Sequence, residues 1–376
     1  MEKIELQQYR DDLAKEMKQE PDKDKRREIL TAAQSTDEYQ KIEERPFWGE
    51  FSGGEIDEVG EYIEPTPEQK EKFQKRNERV SEIFEGVDFQ WYLDGAVNIS
   101  LYGDHQIRDH KDLDISIFNE DSGKLVELLS RQGFGIFVNY NEGEKRLMRR
   151  ATIEELTTPD KLNLFICKID TNGKIERTNA EPFNFVDLHI HSKDPEGNTI
   201  INYTGATLPK EYFEPIKKRI SNGKEINLSQ PAIVAYHKLH SNRPYDLTDL
   251  QKLRPNLQEK DFGMLRECLK REWDETEKKI QENLQETWQF LMPMLELTRN
   301  PRVISEKLWE HPDLKARRND QKVAEYVAAI SQHISECKEI TLDDFIDQSL
   351  SILKPREHIE QKLKLLDQLE STSPKQ

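Results

Sequence analysis

The sequence predicts an α+β protein: a mixed sheet core with helices, flanked by N-terminal helices and a C-terminal helical domain. Three observations carry that prediction. Residues 1–45 are rich in Glu, Lys, Gln and Arg, with Leu6, Tyr9, Leu13 and Met17 at helical spacing. Between about 85 and 215, short strand-type apolar runs surround a segment of helical period. From Pro231 nearly to the end, every segment has helical period. A chain of 376 residues exceeds one compact core, and the expected divisions are 1–84, 85–225 and 226–370.

In chain order, two N-terminal helices are expected, broken near Pro21. Pro46 and the pair Gly53-Gly54 mark an irregular connection. A helix follows from Thr66 to Phe84, with Pro67 in its first turn. The strand-type runs are FQWYL, DLDISIF, FGIFVNY, LNLFICKI and FNFVDLHIH. Between the second and third lies the helical SGKLVELLSRQG, closed by Gly133. AIVAYHKLHS, DLTDLQKL, the long LRECLKREWDETEKKIQENLQETWQFLMPML and DQKVAEYVAAISQHISECK then supply helices, enough for a bundle. The ending STSPKQ reads as a loose tail.

The net charge of -17 argues for a soluble chain without general affinity for nucleic acid backbone. No apolar run approaches the roughly 18 residues of a membrane span, and MEKIELQQYRDDLAKEM lacks the apolar core of a signal peptide. Cys167, Cys268 and Cys337 are odd in number and far apart, which fits a reducing cytoplasm.

The segment DHKDLDISIF sets two carboxylates two residues apart where an apolar run begins. On a strand, Asp112 and Asp114 share a face. They repel unless both are solvated at the strand start or a divalent cation lies between them. Upstream, WYLDGAVNIS reads as a strand, a glycine and a helix start, an arrangement suited to phosphate. Downstream, FNFVDLHIH alternates: Asp187, His189 and His191 share one face, and Val186, Leu188 and Ile190 the other. Asp187 would complete a metal site or act as general base. A zinc site from this strand is disfavoured, because same-face neighbours are about 6–7 Å apart.

This order, a Gly turn, Asp-x-Asp on the next strand and a lone Asp on a later one, resembles the nucleotidyltransferase superfamily that shares the DNA polymerase β catalytic core. The likeness is greater to the nucleotidyltransferases acting on aminoglycosides and lincosamides. Their pattern runs Trp-x-x-Asp-Gly-Gly, a short helix, a Gly, an Arg, a His and Asp-Leu-Asp. Here it stands as WYLDGAVNISLYGDHQIRDHKDLDISIF, with Asp94, Gly95, Gly103, Arg108, His110, Asp112 and Asp114 in place. VDLHIHSKDPEGN and AYHKLHSNRPYDLTDL also look like stretches of these enzymes. Ala96 departs from the pattern, which usually has a second Gly there. The likeness spans residues 88 to 255, under half the chain.

The resemblance implies a nucleotidyltransferase-type mixed sheet core within 85–225, and a catalytic set of Asp112, Asp114 and Asp187. The same three would hold Mg²⁺, as two ions. Asp94, Gly95, Ala96, Arg108, His110 and Lys238 would bind the nucleotide. Asp246 would orient a base or an acceptor, or else cap its helix. The substrates implied are a nucleoside triphosphate and a hydroxyl-bearing small molecule. A tRNA or protein acceptor and a non-catalytic nucleotide-binding module are the alternatives. The cationic run Lys145–Arg150 reads either as an anion-receiving patch or as an edge strand protected by charge.

Overall fold

The computed structural model describes residues 43–44 and 61–371, apart from 111, 143–144, 158–162, 172, 177–180, 202–203, 242, 244 and 319. The helices expected before residue 43, the connection at Pro46 and Gly53-Gly54, and the tail lie outside the described residues. Within the segment expected to be helical, Glu43–Glu44 instead runs as a strand. The chain divides into two units, one reaching Phe262 and the other spanning Gly263–Ser373.

The first unit opens with α1 (Pro67–Ile83). Thr66 caps it in a reciprocal pair with Gln69, and Pro67 occupies the first turn, where its missing N–H costs nothing. There follow β1 (Trp91–Asp94), α2 (Val97–Tyr102), β2 (Asp114–Phe118) and α3 (Ser122–Arg131). Then come β3 (Phe134–Glu142), β4 (Lys145–Arg150), β5 (Asn163–Lys168), β6 (Val186–Lys193), β7 (Ile216–Arg219) and β8 (Glu225–Leu228). Two helices close the unit's chemistry: α4 (Pro231–His240) and α5 (Asp246–Leu253).

The strands lie in the order β4-β3-β5-β6-β2-β1-β8-β7, and Glu43–Glu44 pairs with Leu147–Met148 outside β4. Strands β2 and β6 are parallel, as are β1 and β8; the other neighbours are antiparallel, so the sheet is mixed. Side chains alternate across it. Trp91, Leu93, Ile115, Ile117, Val186, Leu188 and Ile190 join Val80, Ile83, Leu125 and Leu129 from α1 and α3 in one core. At roughly 25 cal/mol per Å² of apolar surface removed from water, this burial is the main force holding the face together. Asp94, Asp187, His189 and His191 occupy the alternate positions and turn to the opposite face.

The second unit is helical. The long α6 (Glu259–Leu295) is followed by α7 (Pro301–Leu308), α8 (Gln321–Glu336), α9 (Leu342–Leu353) and α10 (Pro355–Ser371). Leu284, Trp288, Leu291, Ile304, Leu308, Val327, Ile330 and Phe345 form its core. Among the described residues, no helix is long and apolar enough to cross a membrane.

Candidate active site

Three aspartates stand in one row across three adjacent strands. Asp94 at the end of β1 pairs in register with Asp114 at the start of β2, and Asp114 with Asp187 on β6. The apolar neighbour of each is locked into the core, so the registers hold the carboxyl groups at one end of the sheet. Asp112 precedes the strand rather than standing on it. Even so, Asp112, Asp114 and Asp187 line one cleft of about 480 Å³, together with Gly95, Ala96 and, from α4, Lys238. That volume suits a small ligand.

Asp94 does not reach the ligand space, for its side chain is fully buried. One oxygen accepts from the Gly95 N–H and the Ser229 hydroxyl; the other accepts from the Ser116 hydroxyl and lies 3.1 Å from His237 Nε2. Burial opposes its charge, but His237 and the Gly95 N–H hold the carboxyl well below the usual range. Asp94 therefore anchors the turn between β1 and α2.

Gly95 has φ +70, and a Cβ there would lie 2.1 Å from Asp114 Oδ2. Glycine is thus demanded twice, by the left-handed backbone and by the carboxylate packed on it. Ala96 follows in right-handed helical conformation, where a methyl group is accommodated. The Asp114 carboxyl is pushed up to about 7 by burial, then by Asp112 and Asp94. An acidic row that resists ionisation is suited to a hard divalent cation, and the donors are all carboxylate oxygens. Among the described residues, no three His, Cys, Asp or Glu side chains already surround one point.

The nucleotide-side residues are tied into a buried network. Asp249 accepts two hydrogen bonds from Arg108, one from the Tyr62 hydroxyl, and an ion pair from Lys238 at 2.5 Å. Burial disfavours its charge, yet Lys238 and Arg108 keep the carboxyl below its usual range. Lys238 also reaches Asp246 at 3.0 Å, and Arg108 lies over the Tyr245 ring. Asp246 starts α5 without capping it; its carboxylate takes Lys238 and the Arg243 N–H. His110 shares a hydrogen with the Ser100 hydroxyl at 2.6 Å, and burial drives its pKa well down. Arg108, His110 and Lys238 each keep part of their surface on the cleft; Asp246 supports it from behind.

His189 and His191 rise from β6 on the face of Asp187, and His191 stacks nearly parallel to His237 at 6.5 Å between ring centroids. Burial lowers His189 to about 4 and His191 to about 3, so both rings are neutral at pH 7. In the cationic run, Arg149 is held by Glu155 through two hydrogen bonds, and Leu147 and Met148 are buried. With Glu43–Glu44 beside it, β4 is a covered strand.

Sequence reasoning missed His237, Asp249 and Arg243. Asp249 stood within the quoted AYHKLHSNRPYDLTDL, but nothing local said that its partner lay at Arg108. His237 sits one residue before Lys238, and its role appears only once α4 crosses the sheet.

The fold brings the glycine turn and the acidic row to one cleft. Residues 78–190 match the family model described as aminoglycoside-2''-adenylyltransferase. Two solved structures are similar to part of the chain. One is the lincosamide antibiotic adenylyltransferase LnuA with lincomycin bound (TM-score 0.33, 16% identity, covering 49% of this chain and 98% of that one). The other is an antigenic nucleotidyltransferase-like protein from Paracoccidioides brasiliensis (TM-score 0.27, 11% identity, covering 48% of this chain and 76% of that one). Among curated proteins, none matches the chain.

Proposed function

We propose that the protein moves a nucleoside monophosphate from a nucleoside triphosphate to a hydroxyl of a small, antibiotic-like molecule and releases pyrophosphate. The observation that carries this reading is Asp112, Asp114 and Asp187 lining one cleft beside a turn that tolerates no Cβ. The acceptor oxygen attacks the α-phosphorus. The bond from that phosphorus to the bridging oxygen breaks, and pyrophosphate leaves with the electron pair. Asp187 receives the hydroxyl proton, acting as general base from the strand next to Asp114.

Asp112, Asp114 and Asp187 would hold the magnesium, two ions in all. When bound, it would neutralise charge on the phosphoryl oxygens and the leaving group. The bare backbone at Gly95-Ala96 lets the β- and γ-phosphates approach. An ammonium has three donors, and Asp246 and Asp249 engage two of those on Lys238, a residue that lines the cleft; the third would serve a phosphate oxygen. Arg108 and His110 shape the same wall. Cys167, Cys268 and Cys337 are free thiols, in keeping with a cytoplasmic place of work.

The test is incubation with Mg²⁺, each labelled triphosphate, and a panel of antibiotics, tRNA and protein. Label transfer to a small molecule with matching pyrophosphate release is expected. Transfer only to tRNA or protein would replace the acceptor; no transfer to anything would remove the reading.

A further inference from the structure

Asp114 and Asp187 stand on strands, but Asp112 does not. It lies in the irregular loop between α2 and β2. Among the described residues, none donates a hydrogen bond to its carboxylate. Its place in the cleft is therefore set by the backbone on either side. Downstream, Leu113 is 2% exposed, and its carbonyl accepts from the Asp187 N–H at 2.8 Å. That bond ties the loop to β6. Upstream, the anchor is His110, whose carbonyl accepts from Arg76 Nη1 at 2.7 Å.

Arg76 is an unusual holder. It stands on α1, is 7% exposed, and forms no ion pair with any described carboxylate. A buried guanidinium is costly to leave unpaired. Here burial works against the charge, while the fields of Asp112 and then Asp109 favour it. The same helix grips His110 a second time. Phe73, three residues before Arg76 and on the same helix face, lies against the His110 ring with centroids 5.4 Å apart. That ring also meets the Ser100 hydroxyl, which accepts from the Ile107 N–H at 3.1 Å. His110 is thus held at both ring and carbonyl, two residues before Asp112. Arg76 lies ahead of residues 88 to 255, where the motifs stood, so no motif pointed to it.

We propose that Arg76 is a positioning residue for metal binding: through the His110 carbonyl it fixes the backbone from which Asp112 meets a divalent cation. The inference rests on the reading of Asp112 as a metal ligand. Ligating carboxylates are ordinarily oriented by hydrogen bonds of their own. Asp112 has none among the described residues, so the orientation must come from its backbone. The long arginine side chain carries a donor from α1 across to that loop.

The test titrates Mn²⁺ alone into the full chain and reads the free-ion signal by electron paramagnetic resonance. Mn²⁺ is the probe because it takes the same carboxylate oxygens as Mg²⁺. Wild type, Asp112→Asn and Arg76→Met are compared. Asp112→Asn is expected to lose most of the binding, and Arg76→Met to bind about tenfold more weakly than wild type. Arg76→Lys, which can still donate to the carbonyl, should recover most of that affinity. Hydrogen exchange in Arg76→Met should quicken at the amides of 109–113 and keep the wild-type rate in β2 and β6. Should Arg76→Met fail to fold, Arg76→Gln takes its place; its donor ends two bonds short of the guanidinium nitrogen, and the same loss is expected. No binding by wild type, or equal binding by Asp112→Asn, would remove the metal reading and this inference with it. Loss in Asp112→Asn beside wild-type affinity in the Arg76 variant, whatever its melting temperature, would leave that reading standing and overturn the role of Arg76.

Discussion

Gly95 and Asp114 are packed so closely that no Cβ fits between them: the added atom would stand 2.1 Å from Asp114 Oδ2. The turn and the acidic row are therefore one structural object. Gly95→Ala is expected to displace the Asp114 carboxylate, lower the melting temperature by several degrees for a cost of about 1–3 kcal/mol, and cut turnover at least about a hundredfold. Ala96→Gly should be mild. If Gly95→Ala matches wild type in both turnover and melting temperature, the packing described here is wrong.

Asp114 gives a pH signature. Its carboxyl is raised to about 7, so between its ordinary value near 4 and about 7 the native state keeps a proton that the unfolded chain has lost. Stability from this group accordingly falls as pH rises through that window and is level above it. Denaturation of wild type and Asp114→Asn from pH 5 to 8 should show the variant gaining on wild type up to about pH 7. Millimolar Mg²⁺ should recover the loss in wild type alone, since the Asn variant lacks the charge. A constant difference across the range would refute the shift.

Asp187 separates chemistry from binding. Asp187→Asn is expected to lower kcat by two to four orders of magnitude, about the worth of a general base. Nucleotide Kd and melting temperature should change little. Arg108 offers no competing structural role for it, because that guanidinium is committed to Asp249. Wild-type kcat per folded molecule would take Asp187 out of the mechanism.

Asp249 should behave in the opposite way. Asp249→Asn leaves Arg108 and Lys238, each 4% exposed, with a neutral partner in a buried setting. Breaking a buried pair from one side costs about 3–5 kcal/mol. Urea denaturation should register a loss of that order, while molecules that remain folded should retain turnover within about tenfold. A variant as stable as wild type would show that the network is not structural.

What the sequence made legible was local. Alternation in FNFVDLHIH placed Asp187, His189 and His191 on one face because a period of two needs no distant information. Asp112 and Asp114 were expected to share a strand face; both line the cleft, but the strand starts only at Asp114. The nucleotide wall was less legible. Arg108, Lys238 and Asp246 looked like phosphate or acceptor groups, but Lys238 and Asp246 pair with each other, and the partner of Arg108, Asp249, lies 141 residues away. The β7–β8 hairpin was also missed; IKKR and EINL are too short and too charged to announce strands, and only pairing of Leu228 with Leu93 fixes them.

Asp94 also sets the order of events during synthesis. Its carboxylate is held from β1, from Ser116 on β2, from Ser229 after β8 and from His237 on α4. A nascent chain that has emerged only through β6 already carries Asp112, Asp114 and Asp187, but it buries a charge with half of its partners still unmade. The acidic row therefore cannot settle until α4 has left the ribosome. Maturation of the cleft is tied to the last helices of the first unit, and shortened products ending before them are expected to be inert.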